Sequence, residues 1–293
     1  MNNLNDLIER INLNYKSFSK GHKLLADYIE KNYDKAVFLT AASLGEVVGV
    51  SESTVVRFAM NLGYKGYPEF QSALEEMVKT KLNSIQRMEV SKEKLSNSDI
   101  LEGVLREDEE LIKDTRNFTD KRSFEKAVNI LLEAEHVYVI GIRSCEPLAE
   151  FFAFYLNLIR KDVINLRTNS TNEIFEQMIH IQDKDAIVCI SFPRYSKRTL
   201  MALEFARSRN AKTITLTDSI NSPLNNYSTC NLLAKFNVTS FVDSLVAPLS
   251  IINALLTAVS FKKRNDVTKT LSFLEDIWKQ YQVYENDEIE DKE

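Results

Sequence analysis

Between residues 137 and 236 a single pattern recurs five times. Short β-branched or apolar runs, VYVIGI (137–142), DVINLR (162–167), AIVCIS (186–191), KTITLT (212–217) and NLLAKF (231–236), alternate with helical segments. Alternation of this kind implies strand–helix–strand crossovers, and so a parallel sheet with helices on both faces. Five such strands predict an α/β, flavodoxin-like doubly wound domain, which binds ligands outside the C-terminal strand ends. Helices are expected before the sheet at about 99–117 and 123–134, and after it at 241–262 and 268–284.

Glycine limits what loops this sheet can carry. The chain has seven glycines in 293 residues, and none follows Gly141. A Walker A loop and a G-x-G-x-x-G dinucleotide fingerprint are both excluded. No cofactor motif is present. Cys145, Cys189 and Cys230 are widely spaced with no C-x-x-C, and His22, His136 and His180 are scattered, so neither a metal site nor a disulfide framework is expected. The N-terminus lacks an apolar signal core. The longest apolar run, Ser244–Phe261, is broken by Pro248, Ser250 and Asn253. It is expected to be a buried helix, with Lys262, Lys263 and Arg264 at its C-terminal end, and not a membrane span. The expected compartment is the cytoplasm.

Residues 1–78 read as all-helical. Leu4, Leu7, Ile8 and Ile11 have helical spacing, as do Leu24, Leu25, Tyr28 and Ile29. Ser19 is an expected N-cap. Ala41–Val48 forms a helix stopped at Gly49, and Ser51 caps the next, which runs to Gly63 before Pro68 opens another. Two helices joined by Gly49-Val50-Ser51 have the spacing of a DNA-binding helix-turn-helix, whose second helix faces the major groove. That helix presents Ser51, Glu52, Ser53, Thr54 and Arg57, hydroxyls and a guanidinium suited to phosphate or base edges. Charge argues against strong binding by one copy. Residues 1–80 carry nine Lys/Arg and ten Asp/Glu, a net of −1, where DNA binders usually show a basic excess. A plain helical hairpin or an adaptor domain has the same spacing.

The segment 39–74, with V-S-E-S-T-V-V-R-F and L-G-Y-K-G-Y-P-E-F, resembles the N-terminal domain of RpiR-family bacterial transcription regulators. The resemblance implies that Ser51, Ser53, Thr54 and Arg57 face an operator duplex, with Lys65 and Tyr67 as backbone supports. It also implies a C-terminal sugar-isomerase (SIS) domain that senses a sugar phosphate or related sugar. The family's first loop, roughly G-x-G-x-S, corresponds to Gly141-Ile142-Arg143-Ser144-Cys145. Here Arg143 stands for the second glycine, Cys145 stands where the serine is usual, and Ser144 still offers a hydroxyl. The phosphate loop, roughly S-x-S-G-x-T, corresponds to Ser191 through Thr199. Ser191, Ser196 and Thr199 match, the loop is three residues longer, and Lys197 replaces the glycine. It is similar to an SFPRYS-type subset.

Physical chemistry supports an anion there independently, since the loop leads from a strand end into a helix N-terminus. The alternative is that Ser196 only caps the helix. Arg143 and Arg194 are a candidate two-arginine clamp, and Ser244 a further candidate contact. The expected organisation is 1–78 DNA-binding, 79–108 a partly helical linker, 109–284 the SIS domain and 285–293 an acidic tail. A homodimer or tetramer is expected, because such motifs read paired half-sites. The competing reading is a SIS-type sugar-phosphate isomerase with a helical domain that does not bind DNA. Its candidate bases are Glu146, and Glu173 with His180 on one helical face.

Overall fold

The computed structural model describes residues 6–81, 83–88, 99–167, 170–236 and 242–284. Residues 89–98 of the expected linker, Ser240 and Phe241 before the long apolar helix, and the acidic tail 285–293 lie outside these. The described chain divides into two compact units. The first comprises described residues of Met1–Leu111, Pro193–Tyr195 and Phe236–Ser244. The second comprises those of Ile112–Phe192, Ser196–Lys235 and Leu245–Glu293.

The first unit is helical: α1 (Asp6–Asn14), α2 (Lys20–Lys31), α3 (Tyr33–Ala36), α4 (Ala41–Val48), α5 (Glu52–Asn61) and α6 (Tyr67–Lys81). Hydroxyl caps set three helix starts. Ser19, Thr40 and Ser51 each accept the backbone N–H three residues on, from His22, Ser43 and Thr54. Buried residues follow at helical spacing, Leu25, Ala26 and Ile29 on α2 and Val55, Phe58 and Ala59 on α5. They join Leu7, Ile11, Leu44, Leu62, Phe70 and Leu74 in one core. A short helical turn covers 84–88, and α7 (Ile100–Phe118) starts eight residues before the expected linker ends.

In the second unit α8 (Lys121–Glu133) is capped by Asp120, whose carboxylate accepts N–H bonds from Arg122 and Ser123. The sheet strands are β1 (Val137–Gly141), β2 (Val163–Asn165), β3 (Ala186–Ile190), β4 (Lys212–Thr217) and β5 (Cys230–Leu233). All pair in parallel in the order β2-β1-β3-β4-β5, the flavodoxin-like order expected. Every residue of β1 and β3 is buried, as a sheet covered on both faces requires. The crossover helices are α9 (Glu146–Ile159), α10 (Thr171–Gln177) and α11 (Lys197–Ser208).

The apolar helix α12 (Val246–Lys262) is buried through Ile251, Ile252, Leu255, Leu256 and Val259. It starts five residues later than expected, with Pro248 in its first turn, where a missing N–H costs nothing. Arg264 is not at its C-terminal end but opens α13 (Arg264–Tyr281). Among the described residues no single helix is long and apolar enough to cross a membrane.

Gly141 ends β1 beneath the following turn. A Cβ there would collide with the Cys145 carbonyl oxygen and stand 3.1 Å from the Ala149 Cβ. The obstacle is backbone, which cannot move aside without shifting α9. Gly141→Ala should therefore destabilise the second unit by roughly 1–3 kcal/mol. Urea unfolding should show a lower midpoint for the variant, with the far-UV spectrum of the native state retained.

Candidate functional site

Helix α4 ends where Gly49 adopts the left-handed conformation, φ +77°. The Val50 N–H donates to the Gly45 carbonyl at 2.8 Å. Gly45 is what lets α5 start so near: a Cβ on it would lie 2.7 Å from the Val50 carbonyl oxygen and 3.3 Å from the Glu52 nitrogen. The hydroxyl of Ser51 stands 2.8 Å from that of Thr54 and 3.0 Å from that of Ser53. Arg57 folds back along the helix, its Nε donating to the Ser53 carbonyl and its Nη2 to the Ser53 hydroxyl, both at 3.2 Å. Ser51, Ser53 and Arg57 are exposed and Thr54 is half-buried. One exposed helix start therefore collects three hydroxyls and a guanidinium.

Lys65 is exposed, its backbone N–H bonded to Glu69 at 2.6 Å. Tyr67 corrects an expectation. Its ring is buried and its hydroxyl donates to the Leu39 carbonyl at 2.7 Å, so it fastens α6 inside the helical core and presents nothing outward. Burial pushes its phenol up to about 12.

In the second unit the sheet order reverses between β1 and β3, and Gly141 pairs with Ile190. The loops after these two strands thus leave adjacent points at the topological switch, where doubly wound sheets take ligands. After β1, Arg143–Cys145 form a 3-10 turn with Arg143 at φ +59°. Arg143 and Ser144 are exposed. After β3, the Ser191 hydroxyl accepts the Ser196 N–H at 3.1 Å, and the Ser196 hydroxyl accepts the Thr199 N–H at 3.3 Å. Ser196 does cap α11. Thr199 is 0% exposed, and its hydroxyl has no hydrogen-bond partner among the described residues. A buried hydroxyl in that state costs free energy unless something bonds to it.

Arg194 and Ser244 fall in the first unit. Arg194 is exposed, and Ser244 donates its hydroxyl to Asp108 at 2.6 Å. A residue the sequence did not point to lies beside them: Arg87, buried, donates from Nη1 to Asp243 at 2.9 Å. Glu173 and His180 do not share a helical face, because α10 ends at Gln177 and His180 lies in the turn beyond it. Glu146 is exposed at the start of α9.

Residues 5–81 match the model described as a helix-turn-helix domain of the rpiR family, and residues 130–258 match the SIS domain. The chain is 24% identical over 271 residues to the HTH-type transcriptional regulator HexR of Escherichia coli (strain K12), covering 88% of this chain and 89% of that protein. It is 25% identical over 228 residues to an uncharacterized HTH-type transcriptional regulator of Haemophilus influenzae, covering 76% and 77%. Among solved structures it resembles Vibrio vulnificus NanR complexed with ManNAc-6P, with TM-score 0.57, 24% identity, and 92% and 98% of the two chains covered. It also resembles the sugar isomerase domain of an RpiR transcription factor from Sphaerobacter thermophilus, with TM-score 0.58, 24% identity, and 61% and 99% covered.

His22 gives the helical unit a pH dependence. Its ring meets Phe18 and Phe58 edge-on, at 5.9 and 5.5 Å between centroids. Burial and then the Arg57 charge lower its pKa. The folded state therefore holds this proton less tightly than the unfolded chain, whose value is about 6.5. Its contribution to stability is present above about pH 6.5 and falls as the pH drops towards the folded value. Urea midpoints measured from pH 7.5 to 5.5 should fall less in His22→Gln than in the parent.

Proposed function

We infer that this chain, an rpiR-family helix-turn-helix domain joined to a SIS domain, is a sugar-responsive, DNA-binding transcriptional regulator. Its relatives are named as transcriptional regulators, and the isomerase reading has lost the shared face of Glu173 and His180. Ser51, Ser53, Thr54 and Arg57 contact operator DNA, with Lys65 on the phosphate backbone. In the SIS domain Ser144, Ser191, Ser196 and Thr199 hold the effector, with Arg143 supplying positive charge. Ser244 is not in this set, since Asp108 already takes its hydroxyl. The observation that carries the effector site is the buried, unpartnered Thr199 hydroxyl in the first turn of α11, which follows the loop after β3. The effector is a sugar phosphate or a related sugar. NanR, which shares the fold, is complexed with ManNAc-6P, so hexosamine phosphates are the first compounds to try.

The regulator acts in the cytoplasm as a homodimer. Support for self-association comes from α13, which has no buried residue. A cavity of ≈ 480 Å³ lies beside it, lined by Tyr155, Leu158, Leu256, Val267 and Leu271. Effector binding changes operator affinity by the difference in its affinity for two arrangements of the protein.

Two substitutions separate the two halves of this reading. Arg57→Ala should weaken binding to an operator obtained by in vitro selection and reduce the magnitude of the salt slope by about one. An unchanged slope would remove Arg57 from the contact set. Thr199→Val should leave the free protein equally stable, or more stable by about 1 kcal/mol, because an unpaired hydroxyl is deleted. A thermal-shift screen of sugar phosphates, amino sugars and sugar acids finds the effector. Calorimetry on Thr199→Val should then show roughly tenfold weaker binding, a single hydrogen bond's worth.

A further inference from the structure

Arg87 is out of character with the segment that carries it. Residues 79–98 are polar and mixed in charge, yet the Arg87 side chain is only 5% exposed. Within the first unit its Nη1 donates to Asp243 Oδ1 at 2.9 Å, and its Nη2 lies 3.5 Å from the Pro193 carbonyl oxygen. Immediately after Asp243, the Ser244 hydroxyl is tied to Asp108 at 2.6 Å. Removing a guanidinium from water is costly unless it is paired and hydrogen-bonded. A segment that only had to span two domains would leave it solvated.

The partners explain where it points. Pro193 is the centre of the loop after β3, two residues beyond Ser191 and three before Ser196. Asp243 and Ser244 are the residues leading into α12. We propose that Arg87 is a positioning residue that couples the anion loop to the segment following the DNA-binding helices. It holds the Pro193 carbonyl and Asp243 to the turn at 84–88. This rests on the reading of the loop after β3 as the effector site. Any effector that settles that loop in one arrangement also settles whether Pro193 stays within reach of Arg87. By linkage the hold of Arg87 biases effector binding to the same extent. The short turn that follows α6 then responds to occupancy of a site formed more than a hundred residues later in the chain.

A purely structural ion pair would not respond to the loop, and this separates the two roles. Hydrogen–deuterium exchange on the full chain, with inorganic phosphate titrated as the probe, reads both places at once. Protection of the amides at 197–199, accompanied by a change of about threefold or more in exchange at 84–88, is the expected result. That second change should vanish in Arg87→Met and in the double variant Arg87→Met/Asp243→Leu. The double variant removes both charges together and so avoids leaving one buried alone. Protection at 197–199 with unchanged exchange at 84–88 overturns the coupling and leaves the effector site standing. A response at 84–88 that persists in the double variant overturns the part given to Arg87. No protection at 197–199 overturns the effector reading, and the coupling with it.

Discussion

The pairing of β1 with β3 is the constraint on which the SIS domain's chemistry depends. Both strands are buried along their length, so neither can slip by a residue without moving its side chains to the opposite face. Both ends of the pair are also fastened. At the start, the Asp185 carboxylate, 1% exposed, accepts N–H bonds from His136 at 3.1 Å and Gln182 at 2.9 Å. At the finish, Gly141 lets the Cys145 carbonyl settle directly above it. With register fixed at both ends, the points at which the two loops leave the sheet are fixed as well. The positions of Ser144 and Ser191 at the ends of these two strands follow from that backbone pairing.

Much of this was legible because it depends on local periodicity. All five strands and the sheet order followed from alternation of short apolar runs with helices. The α4–α5 junction followed from Gly49 and the Ser51 cap. What escaped depends on long-range partners. KTITLT alternates like a half-solvated strand, yet Thr213, Thr215 and Thr217 are 0% exposed. Their hydroxyls are taken up by Tyr227, Asn231 and Ser222, residues 14, 16 and 5 positions away that no periodicity links to the strand. The resemblance to RpiR regulators implies an outward support at Tyr67, but the Leu39 carbonyl twenty-eight residues earlier claims its hydroxyl. Arg87 sat in a polar stretch, and only its pairing with Asp243, 156 residues on, marks it. His180 fails for a different reason: α10 is short, and helical spacing means nothing past its last turn.

Glycine scarcity takes a more specific form in the structure. Where the resemblance to RpiR regulators leads one to expect a second glycine in the first loop, Arg143 adopts φ +59°. The backbone has thus kept the left-handed shape that suits glycine while the side chain has changed. Such a conformation costs a non-glycine residue about 1 kcal/mol or more. Strain of this kind persists where something else repays it, and an exposed guanidinium beside the switch point is a physical candidate for that compensation. Bare glycine would offer a backbone N–H to a bound anion. Arginine adds a mobile charge with forked donors, which favours carboxylate or phosphate geometry. The departure from the family pattern thus favours an anion in the proposed effector site.

The DNA-binding half faces an electrostatic shortfall that geometry has to offset. A net of −1 over residues 1–80 gives no long-range pull towards a polyanion, and each phosphate neutralised contributes only one step of counterion release. The proposed contact set, Ser51, Ser53, Thr54 and Arg57, relies on short-range fit at one exposed helix start, where these residues are already interbonded. Those hydrogen bonds fix the side chains before contact and so lower the ordering cost of binding. In the proposed homodimer the second contact becomes intramolecular, which raises overall affinity without any new basic residue. In that proposed dimer an effector need only misplace one surface relative to the other to cancel the gain, leaving each helix-turn-helix intact.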